Sequence, residues 1–465
     1  MADSEKLKEK LSLYLSTLSE SAQKLLLRSL ESGEREGKSD AASMLILAAL
    51  RNVLREDEPL VTLNNFVREE FFKPSQPFIS AIDHVAKQKA RISPTSIDKI
   101  WTWVERDVAT AEQQERLKMP CNGMDSKDIA GRSMMMRDEL LQASNRKIKT
   151  MMREIGGEQK LASQLGGRNV YEDMLEVLAA SDNLKPLLPV ISKLPDEILS
   201  WSSPEGEEAY GAVCKYIQQS PMKSPWVFSA ITSRLAAPRL RVQVASKLAG
   251  SDDAIQIAAT VYSPAIHQVF ADLEAYLTAF ETQFKDNSDL DALIASLASW
   301  RNLAKAVETE LEIPSQSPWG KALSGMKSRL SEILKNEVES APGLMRKALK
   351  APKSGSDEHY DENVIADATK AIQIFYHAER MKESLALNGP VTRSRKELDQ
   401  SFEILSTSLV DRTRQAKGDD VATCKALGEA AISFARQIVD ENYANALQRQ
   451  LKAAASVPEL KVAEA

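Results

Sequence analysis

The sequence is poor in cysteine. Only three of its 465 residues are cysteines, namely Cys121, Cys214 and Cys424. They are widely separated and odd in number, whereas a secreted disulfide framework needs an even, clustered set. We therefore expect free thiols that occupy buried or half-buried positions as small apolar groups.

Histidine is equally scarce, and this argues against a metal site. No two of the four histidines are four residues apart, and no Cys-x-x-Cys pair occurs. Zinc sites usually include two closely spaced nitrogen or sulfur ligands. Helical carboxylate-bridged metal sites usually carry Glu three residues before His, a spacing that is also missing. We predict no metal, no cofactor and no catalytic residue.

Motifs for nucleophiles and phosphate groups are missing too. The sequence has no Gly-x-Ser-x-Gly elbow. Its two glycine pairs, Gly156-Gly157 and Gly166-Gly167, neither follow a strand nor precede Lys-Ser or Lys-Thr. The simpler interpretation is that each pair ends one helix and allows the next to begin, with a short helix from Glu158 to Leu165 between them.

The chain also lacks a basic excess and a long apolar run. It has 60 basic and 66 acidic residues, for a net charge of −6, which argues against sequence-independent nucleic-acid binding. The longest apolar stretch, 44–50, is about a third of a membrane span. The first residues do not resemble a signal peptide. We expect a soluble, cytoplasmic protein without an integral membrane segment.

Apolar residues recur at spacings of three and four along most of the chain. The clearest example is the series Ile266, Val269, Leu273 and Leu277, which marks one face of a long helix. Alternation with a period of two is almost absent, so the predicted class is all-α. We expect about fourteen to seventeen helices in a multi-domain bundle protein.

Breaks in this periodicity divide the chain into four predicted domains. Residues 1–118 form an N-terminal helical bundle, and residues 134–262 form a compact stack of short helices between proline-rich joints. Residues 263–350 form an elongated three-helix unit, and residues 362–455 form a C-terminal three-helix unit. Short connections between long helices predict antiparallel neighbours.

Six serines directly precede prolines. They are Ser93, Ser203, Ser220, Ser224, Ser263 and Ser317. We interpret these pairs as helix starts, because serine is a preferred N-cap and proline is well tolerated in the first helical turn.

The most unusual stretch is the predicted helix 133–155, which is rich in methionine and basic residues. Met134, Leu141, Ile148 and Ile155 share a heptad line. A basic, Met-rich amphipathic helix can bind a groove of a partner protein or lie on an anionic membrane, although methionine also simply fills cores. The candidate partner-binding residues are Met134, Met135, Arg137, Arg146, Lys147, Lys149, Met151, Met152 and Arg153.

These observations favour a non-catalytic helical scaffold or adaptor. Its partners would be other proteins, with a second copy of itself among the options, and no nucleic acid is expected. One alternative is a peripheral membrane or tethering protein that uses the basic helix. Another is an enzyme of an unrecognised type whose site lies between helices.

Overall fold

The protein is an all-α molecule, as the periodicity predicts. The computed structural model describes residues 61–122, 124–286, 289–350 and 361–456, together with isolated positions before residue 61. These residues contain seventeen α-helices and no β-strand. Apart from those isolated positions, residues 1–60 of the predicted N-terminal bundle lie outside the described residues, and so does the predicted linker at 351–360.

Contacts between Cα atoms divide the chain into two compact units. One comprises residues 1–73 and 101–155, and the other comprises residues 74–100 and 156–465. The predicted division into four domains stays a prediction.

The first unit is built around α1 (Leu63–Phe72) and α4 (Ser126–Met151), which pack against each other. Between them in sequence come α2 (Pro94–Trp103), of which only the last turn belongs to this unit, a π-helical turn (Val104–Val108) and α3 (Ala111–Leu117). Phe71 and Trp101 meet edge to face with ring centroids 5.6 Å apart. The rings bury apolar area and help to fix the packing of α1.

The second unit contains the remaining helices. They are α5 (Gly157–Leu165), α6 (Arg168–Ile191), α7 (Pro204–Gln219), α8 (Ser224–Thr232), α9 (Pro238–Ala249), α10 (Ala254–Ala258), α11 (Ser263–Lys285), α12 (Leu290–Glu310), α13 (Pro318–Leu349), α14 (Glu362–Glu379), α15 (Asn388–Gln415), α16 (Asp419–Ile438) and α17 (Glu441–Ala455). The predicted stripe on α11 is correct: Ile266, Val269, Leu273 and Leu277 are all fully buried. Helix α11 packs against α9 and α12, and α13 packs against α14 and α15.

The glycine pairs act as helix boundaries, as predicted. Gly156 has φ +70° and precedes α5, and Gly166 has φ +89° and follows it. A residue with a Cβ is strained at these left-handed positions. The two glycine pairs therefore define the ends of α5, because glycine adopts a positive φ without strain.

The Ser-Pro pairs also mark helix starts, but only some serines cap. Ser203 Oγ accepts a hydrogen bond from the amide of Gly206 (3.1 Å), and Ser317 Oγ accepts one from Gly320 (3.0 Å). Ser224 and Ser263 are already the first residues of their helices and make no cap bond. A Ser-Pro pair therefore predicts where a helix begins, but it does not predict whether the serine caps that helix.

Other boundaries differ from expectation. The sequence Asn388-Gly389-Pro390 has residue types that often end a helix, but it begins α15, because a proline in the first turn loses no helical hydrogen bond. The reversal instead occurs just before, where Ala386 has φ +55°. The predicted three-helix unit at 362–455 contains four helices, because the chain breaks before α17 at Asp440, whose carboxylate accepts a hydrogen bond from the amide of Tyr443 (2.7 Å) and caps α17.

Two proline joints expected in the middle of the chain are not joints. Pro186 and Pro189 lie inside α6, which continues to Ile191. A proline inside a helix removes a backbone hydrogen bond, but buried residues on either side hold α6 in place, among them Val177 and Leu187. Tertiary packing overrides the local signal here.

Candidate functional site

Helix α4 carries the candidate residues, and its limits differ from those predicted. It begins at Ser126 and ends at Met151, whereas the periodicity indicated 133–155. Asp128 lies in its first turn, where an acidic side chain interacts well with the helix dipole. After Met151 the chain turns and reaches the left-handed Gly156.

The heptad line of Met134, Leu141, Ile148 and Ile155 is not the buried seam of α4. The buried seam consists of Ser133, Met136, Leu140, Ser144 and Ile148, which are spaced by three or four residues. Met134 is 48% exposed and Ile155 is fully exposed. A seam that includes two serines is weakly hydrophobic in sequence, so the exposed methionines gave the stronger apolar signal.

Six of the nine candidate residues are exposed, and we call them the Met/basic face. They are Met134, Met135, Arg146, Lys149, Met152 and Arg153. At 100° per residue the four that lie within α4 fall within about a third of the helix circumference, opposite the buried seam, and Met152 and Arg153 directly follow the last residue of the helix. From Met134 to Met152 the face extends for about 27 Å at 1.5 Å per residue.

The methionines and the cations of this face are both open to contact. Met135 is 64% exposed and Met152 is 46% exposed. The side chains of Arg146, Lys149 and Arg153 form no ion pair with any residue that the structure describes. The face therefore offers apolar and positively charged groups together to a molecule that contacts it.

The other three candidate residues are half-buried and have structural contacts. Arg137 pairs with Asp138 (2.7 Å) and lies 3.7 Å from Glu70. Lys147 donates a hydrogen bond to the backbone carbonyl of Asp107 at the end of the π-helical turn. Met151 is half-buried at the end of α4. These contacts fix α4 in its unit, so Arg137 and Lys147 are less available to a partner.

The second unit contains a buried polar cluster around Asp173 that the sequence did not reveal. Lys87 Nζ donates to Asp173 Oδ1 (2.6 Å), Ser96 Oγ donates to Oδ2 (2.7 Å), and the amide of Ser93 also donates to Oδ2 (3.1 Å). Burial opposes ionisation of Asp173, but hydrogen bonds from His84 and Lys87 outweigh it and lower the pKa of this carboxyl.

Ser93, His84 and Asp173 have the composition of a catalytic triad but not its geometry. Ser93 Oγ lies 3.2 Å from both ring nitrogens of His84, and Nε2 of His84 lies 3.4 Å from Asp173. In a working triad the acid and the nucleophile contact different ring nitrogens. All three residues are buried, so a substrate could not reach the hydroxyl. The cluster joins the 80–96 segment to α6.

A second acidic group, Asp272 on α11, is shared by two arginines. Arg91 Nη1 donates to Asp272 Oδ1 and Arg241 Nη1 donates to Oδ2, both at 2.5 Å. Burial raises the pKa of Asp272, but the two guanidinium groups outweigh burial and lower it. The ion triad borders a cavity of about 380 Å³.

The remaining sites proposed from composition can be located as well. Cys121 and Cys424 are buried, Cys214 is half-buried, and all three are free thiols, as predicted. The residues that the structure describes contain no group of three or more His, Cys, Asp or Glu side chains suited to a metal ion. None of the described helices is long and apolar enough to cross a bilayer.

Comparison of the chain with protein-family models, curated proteins and solved structures gives no match.

Proposed function

We propose that the chain is a non-catalytic helical adaptor that binds a segment of another protein on the Met/basic face of α4. The observation that supports this proposal is the exposure of three methionines beside three cations without ion pairs, along α4 and the turn that follows it. Methionine side chains are flexible and polarisable, so they adapt to different apolar partners. The rigid packing of α4 on α1 would present the face without a large ordering cost.

The charge of the face indicates the chemistry of the partner. Arg146, Lys149 and Arg153 lie near the carboxyl end of α4, while Met134 and Met135 lie near its middle. A complementary segment would be an amphipathic helix whose apolar side covers the methionines and whose acidic side chains reach the cations. The exposed Ile155 lies beside Arg153 and enlarges the apolar area available at this end.

An affinity purification from the host tests this proposal with two variants of the face. The first replaces Met134 and Met135 by serine, and the second replaces Arg146 and Lys149 by glutamate. The partner is a protein that the wild-type chain recovers and that binds the wild-type chain again when the two are purified separately and mixed. We expect this partner to bind each variant at least tenfold more weakly than it binds wild type. Loss of one central contact commonly costs more than about 1 kcal/mol, and tenfold corresponds to about 1.4 kcal/mol.

Matched controls show whether the face itself is responsible. Met222 is 78% exposed and belongs to the other unit, so Met222→Ser is the control for lost apolar surface. Lys321 and Lys335 are exposed on α13, so their double replacement by glutamate controls for the change in charge. Equal recovery of the partner by the face variants would contradict the proposal. Flotation of the protein with anionic vesicles, lost in the glutamate variant, would instead favour peripheral membrane contact.

A further inference from the structure

The cavity beside Asp272 has the properties of a ligand site rather than of a packing defect. Its volume of about 380 Å³ falls within the range of about 300–1,000 Å³ that small-molecule sites usually have. Ser80, Thr232, Tyr276, Ser299 and Asn302 supply polar groups to its lining. A cavity left by imperfect packing in a helical core is usually apolar and empty.

The charges around the cavity do not balance. Arg91 and Arg241 each contribute one positive charge, and Asp272 contributes the only negative charge among the lining residues. Arg91 and Asp272 are almost fully buried, and burial lowers the pKa of Arg91. Arg241 adds to that effect by repulsion. One further negative charge in the cavity would offset this repulsion.

One guanidinium donor of a residue that lines the cavity has no partner. A guanidinium group has five N–H donors, and Arg241 uses Nη1 for Asp272 while its buried Nη2 has no hydrogen-bond partner. A buried donor without a partner destabilises the folded state. By contrast, the carboxylate of Asp173 is fully enclosed by donors. The two buried acidic clusters therefore differ in whether they leave a donor free.

We propose that this cavity binds a small molecule through an oxyanion, either a phosphate or a carboxylate, held by Arg241 and the buried positive charge of Arg91. Arginine suits this role because its planar fork binds such groups through two parallel hydrogen bonds. Tyr276, whose pKa is raised by burial and by Asp272, stays protonated and can donate a hydrogen bond to the rest of the ligand. The site is independent of the Met/basic face.

Thermal-shift and calorimetric titrations of the full chain test the proposal with inorganic phosphate and with succinate, each against sodium chloride at the same ionic strength. We expect at least one anion to bind saturably in the millimolar range or tighter and to raise the melting temperature by mass action. Binding of phosphate alone indicates a phosphate-bearing ligand, binding of succinate alone indicates a carboxylate, and binding of both indicates a general oxyanion site. Absence of saturable binding by either anion overturns the proposal.

Three variants locate the binding. Arg241→Gln removes the free donor and is expected to weaken binding at least tenfold. Ser233 lines the cavity, is exposed and is not a member of the ion triad, so Ser233→Trp should obstruct the cavity and remains informative if Arg241→Gln fails to fold. Arg239→Gln removes the same charge from an exposed position on the same helix and should bind like wild type. Unchanged binding by Ser233→Trp would show that the anion binds elsewhere and would overturn the assignment.

Discussion

Two glycines of α13, only five residues apart, should respond to alanine in opposite ways. A Cβ on Gly320 would lie 2.2 Å from the carbonyl oxygen of Pro314, whereas a Cβ on Gly325 would meet no atom within 4 Å. Helix propensity alone predicts that both changes stabilise the protein, by up to about 1 kcal/mol. The local structure predicts otherwise for Gly320.

The carbonyl of Pro314 cannot easily move away. It accepts hydrogen bonds from Ser317 Oγ (2.7 Å) and from the amide of Ser317 (2.9 Å), while the same hydroxyl caps α13 through the amide of Gly320. Moving this carbonyl away would break the Ser317 cap, which contributes about 1 kcal/mol of stability. Overpacking by the added methyl group would cost a further 1–3 kcal/mol or so. After the propensity gain, Gly320→Ala should destabilise the unit by about 1–3 kcal/mol, and Gly325→Ala should stabilise it by about 0.5–1 kcal/mol.

Urea unfolding followed by circular dichroism measures both changes under one set of conditions. We expect the midpoint of Gly320→Ala to fall and that of Gly325→Ala to rise slightly, with slopes like that of wild type. A second pair repeats the comparison, because a Cβ on Gly206 would lie 1.9 Å from the carbonyl oxygen of Ser200, whereas Gly211 is open. Equal midpoints for Gly320→Ala and Gly325→Ala would refute the proposed geometry of the serine-capped helix start.

Three further changes test other parts of the structure. Asp173→Asn should lower the unfolding free energy at pH 7 by at least about 3 kcal/mol, because it leaves Lys87 without its carboxylate, whereas the exposed Asp182→Asn should change it by less than about 0.5 kcal/mol. Since the folded pKa of Asp173 is lowered, its stabilisation is present above pH 4 or so and is lost as the pH falls through that pKa, so acid titration of unfolding should show a shallower decline in Asp173→Asn. Asp440→Ala should cost about 0.5–2 kcal/mol by removing the cap of α17, which thermal unfolding would detect. Ile155→Ser should leave the melting temperature almost unchanged, and a clear drop would contradict its full exposure.

The helical class and most helix positions follow from the sequence, because apolar periodicity and burial are physically linked. The stripe on α11 and the start of α13 at Ser317-Pro318 are correct almost to the residue. Errors occur where one local signal allows two structures. Asn388-Gly389-Pro390 suits both a helix end and a helix start, and only the packing of the preceding turn decides between them.

The polar clusters could not be predicted in the same way. Asp272 meets Arg91 and Arg241 from segments about 180 and 30 residues away, and no periodic pattern connects such distant positions. The buried Gln268 and Asp272 on the otherwise apolar face of α11 are a signal that could have been used, because buried polar groups nearly always have partners. The Met-rich, basic composition of α4 is evident in the sequence. The side of α4 that faces the core is not, because the buried seam contains the two polar residues Ser133 and Ser144.

Site-specific photo-crosslinking in the host tests the central proposal most directly. A photoreactive amino acid replaces the exposed Met135 on the Met/basic face in one strain and the exposed Met222 in a control strain, and the adducts are identified by mass spectrometry. We predict that position 135 alone forms an adduct with one protein, through a segment that has acidic and apolar residues at helical spacing, and that Arg146→Glu with Lys149→Glu abolishes it. The absence of a protein adduct at position 135, or the same adducts at both positions, would contradict the assignment of this face as a partner-binding surface.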